Sequence, residues 1–481
     1  MSATTTNYQQ QGQGISSVVL GLKPYSEYKD SGLPWLGRVP EHWEIKRLGA
    51  LLHERGEKND RGQVTDVLSL MRERGVIPYG EKGRVGNKKS ENITRYKIVR
   101  PDDVVVNCMN VIIGSVGISR YTGCLSPVYY VLTRRFEEDN PNYLNAYFQT
   151  KSFQLSLVRI GNGILSHRMR IPMELLKCEL FPRPPTNEQA AIVRFLDHAT
   201  HRLDKAIRAK RKSIALLNEQ KQAIIHRAVT RGIVPDVPFK DSGIPWLGQI
   251  PAHWEVRRIK QATRILRGKF THRPRNDSSL YDGEYPFIQT GVVARAAKFI
   301  TGYSQTLNEK GLAVSKMFPS GTLVMTIAAN IGEVAVLTFD ACFPDSIVGF
   351  VPSENVDRDY LYLVFRCMKH EFMCEAPVNT QGNLNVERIG SMSIPFPSRA
   401  EQEQIAKHVD AETSSFDSAI SRIAREIELL REYRTRLIAD VVTGKLDVRE
   451  TAAHLPEEAH ADEPELAEIE ESGEELAEEE A

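Results

Sequence analysis

A stretch of twenty residues near the N-terminus occurs a second time, almost unchanged, in the middle of the chain. Residues 28–47 read YKDSGLPWLGRVPEHWEIKR, and residues 239–258 read FKDSGIPWLGQIPAHWEVRR. Agreement over this length does not arise by chance, so the chain contains an internal duplication. Any fold of this sequence therefore has to use the same frame twice.

Turn-forming and aromatic residues dominate the repeated stretch. Its Asp-Ser-Gly and Pro residues favour turns, whereas Trp35, Trp43, Trp246 and Trp254 provide large apolar anchors. We interpret residues 28–47 as a first clip and residues 239–258 as a second clip, each docking the entry of the chain to a domain. An aromatic cage that binds a ligand is the alternative.

The duplication continues downstream of both clips. PDDVVV at 101–106 and IGSVGI at 113–118 match PSGTLV at 319–324 and IGEVAV at 331–336. Short β-branched runs broken by glycine predict strands and tight turns. The segments between these landmarks differ, which predicts one scaffold that carries two different binding surfaces.

Each half ends in a long helical pattern with apolar residues at seven-residue steps. The predicted seam residues are Leu196, Leu203, Leu217, Ile224, Val409, Phe416, Ile423, Leu430 and Leu437. Lys210 interrupts the first seam, either to fix the helix register or to face solvent. Because both patterns exceed the usual length of a globular helix, we expect the seams to pack on each other. Packing of each seam on its own domain is the alternative.

Similar residues precede the two helical patterns. Thr186 with Gln189, or Ser398 with Glu401, predicts a capping box. The helix dipole by itself also favours Glu188 and Glu401 at these positions.

Length, cysteine usage and hydropathy limit the class of protein. A chain of 481 residues predicts two or more domains. The six cysteines show no C-x-x-C spacing, which disfavours structural zinc and a disulfide framework. The sequence shows neither a membrane-length apolar run nor a signal-peptide pattern, so we expect a cytoplasmic protein.

Charge is distributed unevenly along the chain. All 62 Lys and Arg residues precede Pro456, whereas 13 of the 62 acidic residues follow it. The body therefore carries a charge of about +13, and the tail is acidic. This pattern is common in proteins that meet nucleic acid, although a solubilising tail on an ordinary surface is the alternative.

Basic and amide side chains cluster in both halves and are our candidates for DNA contacts, because Lys and Arg neutralise phosphates and Arg, Asn and Gln reach base edges. The candidates in the first half are Arg72, Arg74, Lys82, Arg84, Lys88, Lys89 and Arg95. The candidates in the second half are Arg267, Lys269, His272, Arg273, Arg275 and Asn276. A polar loop before each helix adds His167, Arg168, Gln381, Asn383 and Asn385, and a tight turn is its alternative interpretation. A solvated basic face is the alternative for the two basic clusters.

Catalytic motifs are missing from the sequence. It contains no phosphate-binding G-x-x-x-x-G-K-[ST] loop, no G-x-S-x-G elbow and no H-E-x-x-H helix. The Asn/Asp-Pro-Pro-Tyr/Phe site of adenine methyltransferases is missing too, since RPPT at 183–186 lacks both flanking residues. We expect a protein without catalytic or metal-ligating residues.

Taken together, the two clips, the paired strand motifs and the QGNLN segment at 381–385 before IPFP at 394–397 resemble the specificity subunit of Type I DNA restriction–modification enzymes. The resemblance extends from Tyr28 to about Asp447. It implies an α+β fold with two target-recognition domains, each followed by a long helix, and with the helices packed as an antiparallel coiled coil.

The resemblance and the residue patterns together predict a domain order. We expect a disordered tail at 1–27, target-recognition domains at 28–184 and 232–396, long helices at 185–231 and 397–446, and a disordered acidic tail at 447–481.

The resemblance also implies a function without catalysis by this chain. Each domain would read one half of a split double-stranded DNA site, and the helices would dock two modification subunits. S-adenosylmethionine would act in those subunits, and ATP and magnesium in added restriction subunits. The alternative is a non-catalytic coiled-coil scaffold that binds DNA without reading its sequence.

Overall fold

The computed structural model describes residues 22–72, 74–83, 88–165, 168–376 and 384–456. The chain divides into two compact units. Unit 1 comprises Met1–Ala209 with Ile427–Ala481, and unit 2 comprises Lys210–Glu426. Each unit therefore contains one clip, one strand-rich domain and part of each long helix. The predicted domains were consecutive stretches of sequence, in which this grouping does not appear.

The described strands and helices follow the duplicated order. The strands of the first half are β1 Tyr28–Asp30, β2 Arg38–Pro40, β3 Glu44–Arg47, β4 Leu52–Glu54, β5 Leu68–Met71, β6 Gly75–Pro78, β7 Lys97–Val99, β8 Val104–Asn107, β9 Val116–Ile118, β10 Gly123–Leu125, β11 Tyr129–Arg134, β12 Asn162–Leu165, β13 Arg168–Arg170 and β14 Leu180–Arg183. Those of the second half are β15 Phe239–Asp241, β16 Gln249–Pro251, β17 Glu255–Arg258, β18 Thr263–Arg267, β19 Tyr281–Pro286, β20 Phe299–Ile300, β21 Thr306–Leu307, β22 Met317–Phe318, β23 Leu323–Thr326, β24 Val334–Leu337, β25 Ala341–Cys342, β26 Ile347–Pro352 and β27 Ser393–Phe396. The α-helices are α1 Leu48–Leu51, α2 Pro141–Phe148, α3 Lys151–Ser156, α4 Met173–Leu176, α5 Thr186–Arg231, α6 Ile259–Ala262, α7 Thr290–Arg295, α8 Glu309–Ala313, α9 Arg358–Cys367, α10 Lys369–Cys374, α11 Val386–Ser391, α12 Arg399–Val442 and α13 Arg449–Ala453.

The central sheet of unit 1 is antiparallel, with strand order β4-β11-β8-β9. Strand β8 is buried on both faces. Val104 and Val106 enter the main core of the unit, and Val105 packs with Val131 in a smaller core. Successive side chains of a strand point to opposite faces, so the uninterrupted apolar run in the sequence reflects two cores rather than one.

Unit 2 repeats this arrangement. Its central sheet has the order β18-β26-β23-β24-β20, and the first four strands correspond to the four of unit 1. Leu323 and Met325 of β23 enter the main core, whereas Val324 packs in a second one. The predicted common scaffold is therefore confirmed, with β20 added in parallel to β24.

The long helices α5 and α12 have 46 and 44 residues. In unit 2, Lys210 of α5 lies 2.5 Å from Glu426 of α12, and Lys221 pairs with Asp417. Partner numbers on α12 fall as those on α5 rise, so the helices run antiparallel, and the predicted fold class is confirmed. Lys210, which interrupts the first seam, is thus held by a carboxylate of the second helix.

Burial along the seams depends on position. Leu196, Leu203, Val409 and Leu437 are buried. Leu217, Ile224, Phe416, Ile423 and Leu430 are only partly buried. Three of the buried seam residues, Leu196, Val409 and Leu437, also belong to a domain core.

The clips dock onto the starts of the long helices. In unit 1, the Trp43 indole N–H donates to Glu188 at 2.8 Å. In unit 2, the Trp254 indole N–H donates to Glu401 at 2.9 Å. Both tryptophans are fully buried, which supports the interpretation of the clips as structural elements.

The predicted capping boxes are wrong, because their side chains bind elsewhere. Ser398 accepts from the backbone N–H of Glu401 at 3.3 Å, but the Glu401 carboxylate is taken by Trp254. The amide oxygen of Gln189 accepts from the backbone N–H of Asn140 at 2.8 Å, in the domain rather than in the helix.

In unit 1, some residues of the two predicted disordered tails are buried. Tyr25 is buried against the first clip, and Val448, Ala452 and Leu455 lie in the main core. The packed part of unit 1 therefore starts before residue 28 and continues beyond residue 446, so the predicted limits at 27 and 447 are displaced. The composition of these segments is polar, but their few apolar side chains pack in the core. Among the described residues, none of the helices combines the length and apolarity needed to cross a membrane.

Candidate nucleic-acid interface

Three predicted arginines of unit 2 contact one residue, Asp345. Arg275 lies 2.5 Å from Asp345 and Arg273 lies 3.7 Å from it. Arg267 donates from Nε to the backbone oxygen of Asp345 at 3.1 Å. We call these four residues the arginine cluster. It is exposed to solvent, and it brings together residues from the end of β18, from the loop that follows it and from the loop before β26.

The loop that carries the arginine cluster is anchored on its inner side. Phe270 is buried in a small core, and its carbonyl oxygen accepts from Arg273 at 2.7 Å. The Tyr281 hydroxyl donates to the carbonyl oxygen of Arg275. Lys269 joins the strand edge through its backbone N–H, which donates to Phe343 at 3.1 Å. These contacts hold the backbone of the loop that carries the guanidinium groups.

Other candidates of this loop lie beside the arginine cluster. His272 lies 3.1 Å from Asp277. Hydrogen bonds from Ser279, and in second place the contact with His272, lower the pKa of Asp277. Asn276 is exposed. The loop therefore contains basic side chains and the amide of Asn276, together with the carboxylate of Asp277.

The basic cluster of unit 1 is built around an aromatic ring instead of a carboxylate. The Lys82 and Lys89 ammonium groups lie 4.7 Å and 5.8 Å from the centre of the Tyr79 ring. The Tyr79 hydroxyl accepts from the backbone N–H of Lys89 at 2.9 Å. Lys82 is buried, so it is less accessible to a phosphate than the exposed Lys89.

The remaining candidates of unit 1 lie around the β5–β6 hairpin and the following loop. Arg72 is exposed, and Arg74 lies 3.7 Å from Glu81. Lys88 and Arg95 are exposed as well.

Several candidates of the two halves lie outside the described residues. These are Arg84, His167, Gln381 and Asn383. Arg168 begins β13, without a described side chain. Asn385 caps α11 by accepting from the backbone N–H of Glu387 at 2.9 Å.

Asp345 and Tyr281 were missed by the sequence reasoning. Asp345 follows Arg275 by 70 residues, and the segment FPDS around it has no counterpart in LSPV of the first half. The available signal was the concentration of arginines, because like charges placed close together favour a nearby carboxylate.

The chain is similar to known proteins in sequence and in fold. Residues 251–429 match the family described as the Type I restriction modification DNA specificity domain. The Type I restriction enzyme MjaVIII specificity subunit of Methanocaldococcus jannaschii is 24% identical over 434 residues, which cover 86% of this chain and 95% of the relative. Over most of its length the chain is similar to this Type I specificity subunit, and its second half matches the specificity-domain family.

Two further matches agree with this similarity. The MjaIX specificity subunit of the same organism is 25% identical over 207 residues, 42% of this chain and 46% of the relative. A chain in a solved structure on the assembly and conformational transition of the type I R-M system has a TM-score of 0.60 at 15% identity, covering 84% of this chain and 98% of that one. This structural likeness supports the fold of a specificity subunit.

Proposed function

We propose that the chain is the DNA-recognition subunit of a Type I restriction–modification complex, with each unit reading one half of a bipartite double-stranded site. The observation that carries this proposal is a duplicated scaffold with two unlike basic clusters. The sheets correspond strand by strand, whereas unit 1 gathers its cations around Tyr79 and unit 2 around Asp345. Equal scaffolds with unlike contact groups are suited to reading two different short sequences.

The long helices are the proposed docking platform for two modification subunits. Each helix leaves a large apolar side chain about half exposed, Leu216 at 51% on α5 and Leu429 at 48% on α12. Exposed apolar side chains on long helices are suited to contact a partner protein. In this proposal, S-adenosylmethionine acts in the modification subunits, ATP and magnesium act in restriction subunits, and the present chain contributes recognition without catalysis.

Adenine methylation across the genome tests this proposal. We expect a split motif with two defined halves to depend on the gene for this chain, and to vanish when the gene is deleted. Replacing residues 28–184 by the corresponding domain of a relative should change one half of the motif and leave the other half intact.

Two outcomes would contradict the proposal. If no methylated motif depends on the gene, the chain does not direct methylation, and the scaffold interpretation gains support. If the domain exchange changes both halves together, the units do not read separate half-sites.

A further inference from the structure

The arginine cluster of unit 2 contributes little to stability. The side chains of Arg273, Arg275 and Asp345 are 53%, 49% and 36% exposed. Ion pairs with such exposure contribute little to stability, because water and salt screen them. Two arginines contact the Asp345 carboxylate and a third contacts its backbone oxygen, and the stability of the fold does not explain this arrangement.

A close approach of two backbone segments builds the arginine cluster. Gly268 donates its backbone N–H to Ile347 at 2.9 Å, directly after Arg267. A Cβ at position 268 would overlap the carbonyl oxygen of Pro344. Glycine thus allows the segment that carries the arginines to lie against the segment that carries Asp345. The carboxylate is placed by the scaffold rather than by a chance surface encounter.

We propose that Asp345 is a positioning residue for DNA recognition, which holds Arg275 and Arg273 in the orientation that unit 2 needs to read the bases of its half-site. This inference rests on the proposed function and adds a residue to it. It also predicts that the effect of Asp345 is confined to one half of the recognised site, because unit 1 gathers its cations around the Tyr79 ring.

The chemistry of the guanidinium group explains why such an anchor is useful. Arginine has five N–H donors in a planar fork, and a carboxylate at one nitrogen leaves further donors that can bind the O6 and N7 atoms of guanine. Without an anchor, the flexible side chain loses rotational freedom when it binds, and affinity falls accordingly. A carboxylate among three arginines also lowers the local positive charge, which weakens sequence-independent attraction to phosphates.

The test uses the complete chain assembled with its modification subunits. The probe is a duplex with the methylation motif of the wild-type complex, together with duplexes that carry each single base change in either half. The variants are Asp345→Asn, Asp345→Glu, Arg275→Gln and the double variant with Asp345→Asn and Arg275→Gln. Glu333→Gln is the matched control, because Glu333 pairs with Lys369 at similar exposure in unit 2 and lies outside the arginine cluster and the long helices.

We expect Asp345→Asn to lower affinity for the motif by about 3- to 10-fold, the loss that corresponds to fixing one or two side chains on binding. Discrimination between bases should weaken in one half only. Asp345→Glu should recover most of the loss. Asp345→Asn should have a much smaller further effect in the Arg275→Gln background, because Arg275 is the nearer of its two arginine partners. Glu333→Gln should bind like the wild type.

The opposite results would overturn the proposal. Unchanged discrimination with Asp345→Asn, an equal loss in both halves, or full additivity with Arg275→Gln would show that Asp345 does not position the reading groups. Tighter binding without a change in discrimination would show that Asp345 only sequesters the arginines. Loss of the native circular dichroism spectrum in Asp345→Asn would assign the carboxylate a structural role. Absence of any motif for the wild-type complex would instead reject the proposed function itself.

Discussion

At the residue scale, the carboxylates of Glu188 and Glu401 have equivalent partners but different surroundings. Glu188 accepts from Tyr25 at 2.5 Å and from the Trp43 indole at 2.8 Å, and its side chain is 2% exposed. Glu401 accepts from the Trp254 indole at 2.9 Å and is 13% exposed. Burial and the hydrogen bond to Glu188 raise the pKa of Tyr25. The carboxylate of unit 1 therefore depends more on its protein donors than that of unit 2.

Replacement of each indole by a phenyl ring tests this difference. We expect Trp43→Phe to lower the free energy of unfolding by about 2–4 kcal/mol, because a buried carboxylate loses a donor and a small cavity forms. Trp254→Phe should cost about 1 kcal/mol less, because water reaches Glu401 more easily. Urea denaturation followed by circular dichroism measures both. An equal or larger cost for Trp254→Phe would contradict this account.

At the element scale, each clip also receives the end of a long helix. In unit 1, α12 ends at Val442, and Gly444 follows with φ +77° against Pro40 and Trp43. In unit 2, Gly232 follows α5 with φ +73° and faces Trp254. A left-handed glycine is a common helix terminator. Here it also lets the chain pass close to a buried tryptophan.

Alanine substitutions separate the backbone cost from the packing cost. Gly243→Ala is the control, since Gly243 has φ +68° and open space around it, and it should cost about 1–2 kcal/mol. Gly232→Ala should cost slightly more, because its Cβ would lie 3.2 Å from Trp254. Gly444→Ala should cost the most, about 3 kcal/mol or more, because its Cβ would collide with the Pro40 ring.

The order of these three costs is the result to check, by thermal and urea denaturation of each variant. Equal costs at all three positions would show that the contacts with the clips do not restrict the glycines.

At the scale of the whole molecule, opposite charges are separated along the chain. The body before Pro456 carries about +13, and the 13 acidic residues that follow it have no neighbouring Lys or Arg. A basic body attracts any DNA, whatever its sequence, and the strength of this attraction falls steeply with salt. The acidic segment offers an intramolecular competitor for the same cations.

Deletion of residues 457–481 should therefore strengthen binding to DNA without the recognised motif. We expect a gain of about 3- to 10-fold at low salt, which disappears as salt screens both interactions. Affinity for a random duplex, measured at several salt concentrations for the full and shortened chains, tests this. A control chain with the acidic residues of the segment replaced by Gln and Asn should behave like the deletion. Unchanged affinity after deletion would rule out the screening role.

The sequence by itself determined the duplication, the buried strand runs and the two long helices. These features depend on repetition and local periodicity, which are written in consecutive residues. The arginines of unit 2 were also identifiable as a group, because they follow one another closely in the chain.

Only the tertiary structure decided which groups meet. Asp345 joins arginines that precede it by 70 residues or more, and Glu188 binds a tryptophan that precedes it by 145. Glu401 binds Trp254 in place of the predicted capping box, and the ring of Tyr79 lies against the buried Lys82. Local sequence pattern does not record contacts between distant segments, since they depend on how strands and loops pack around shared cores.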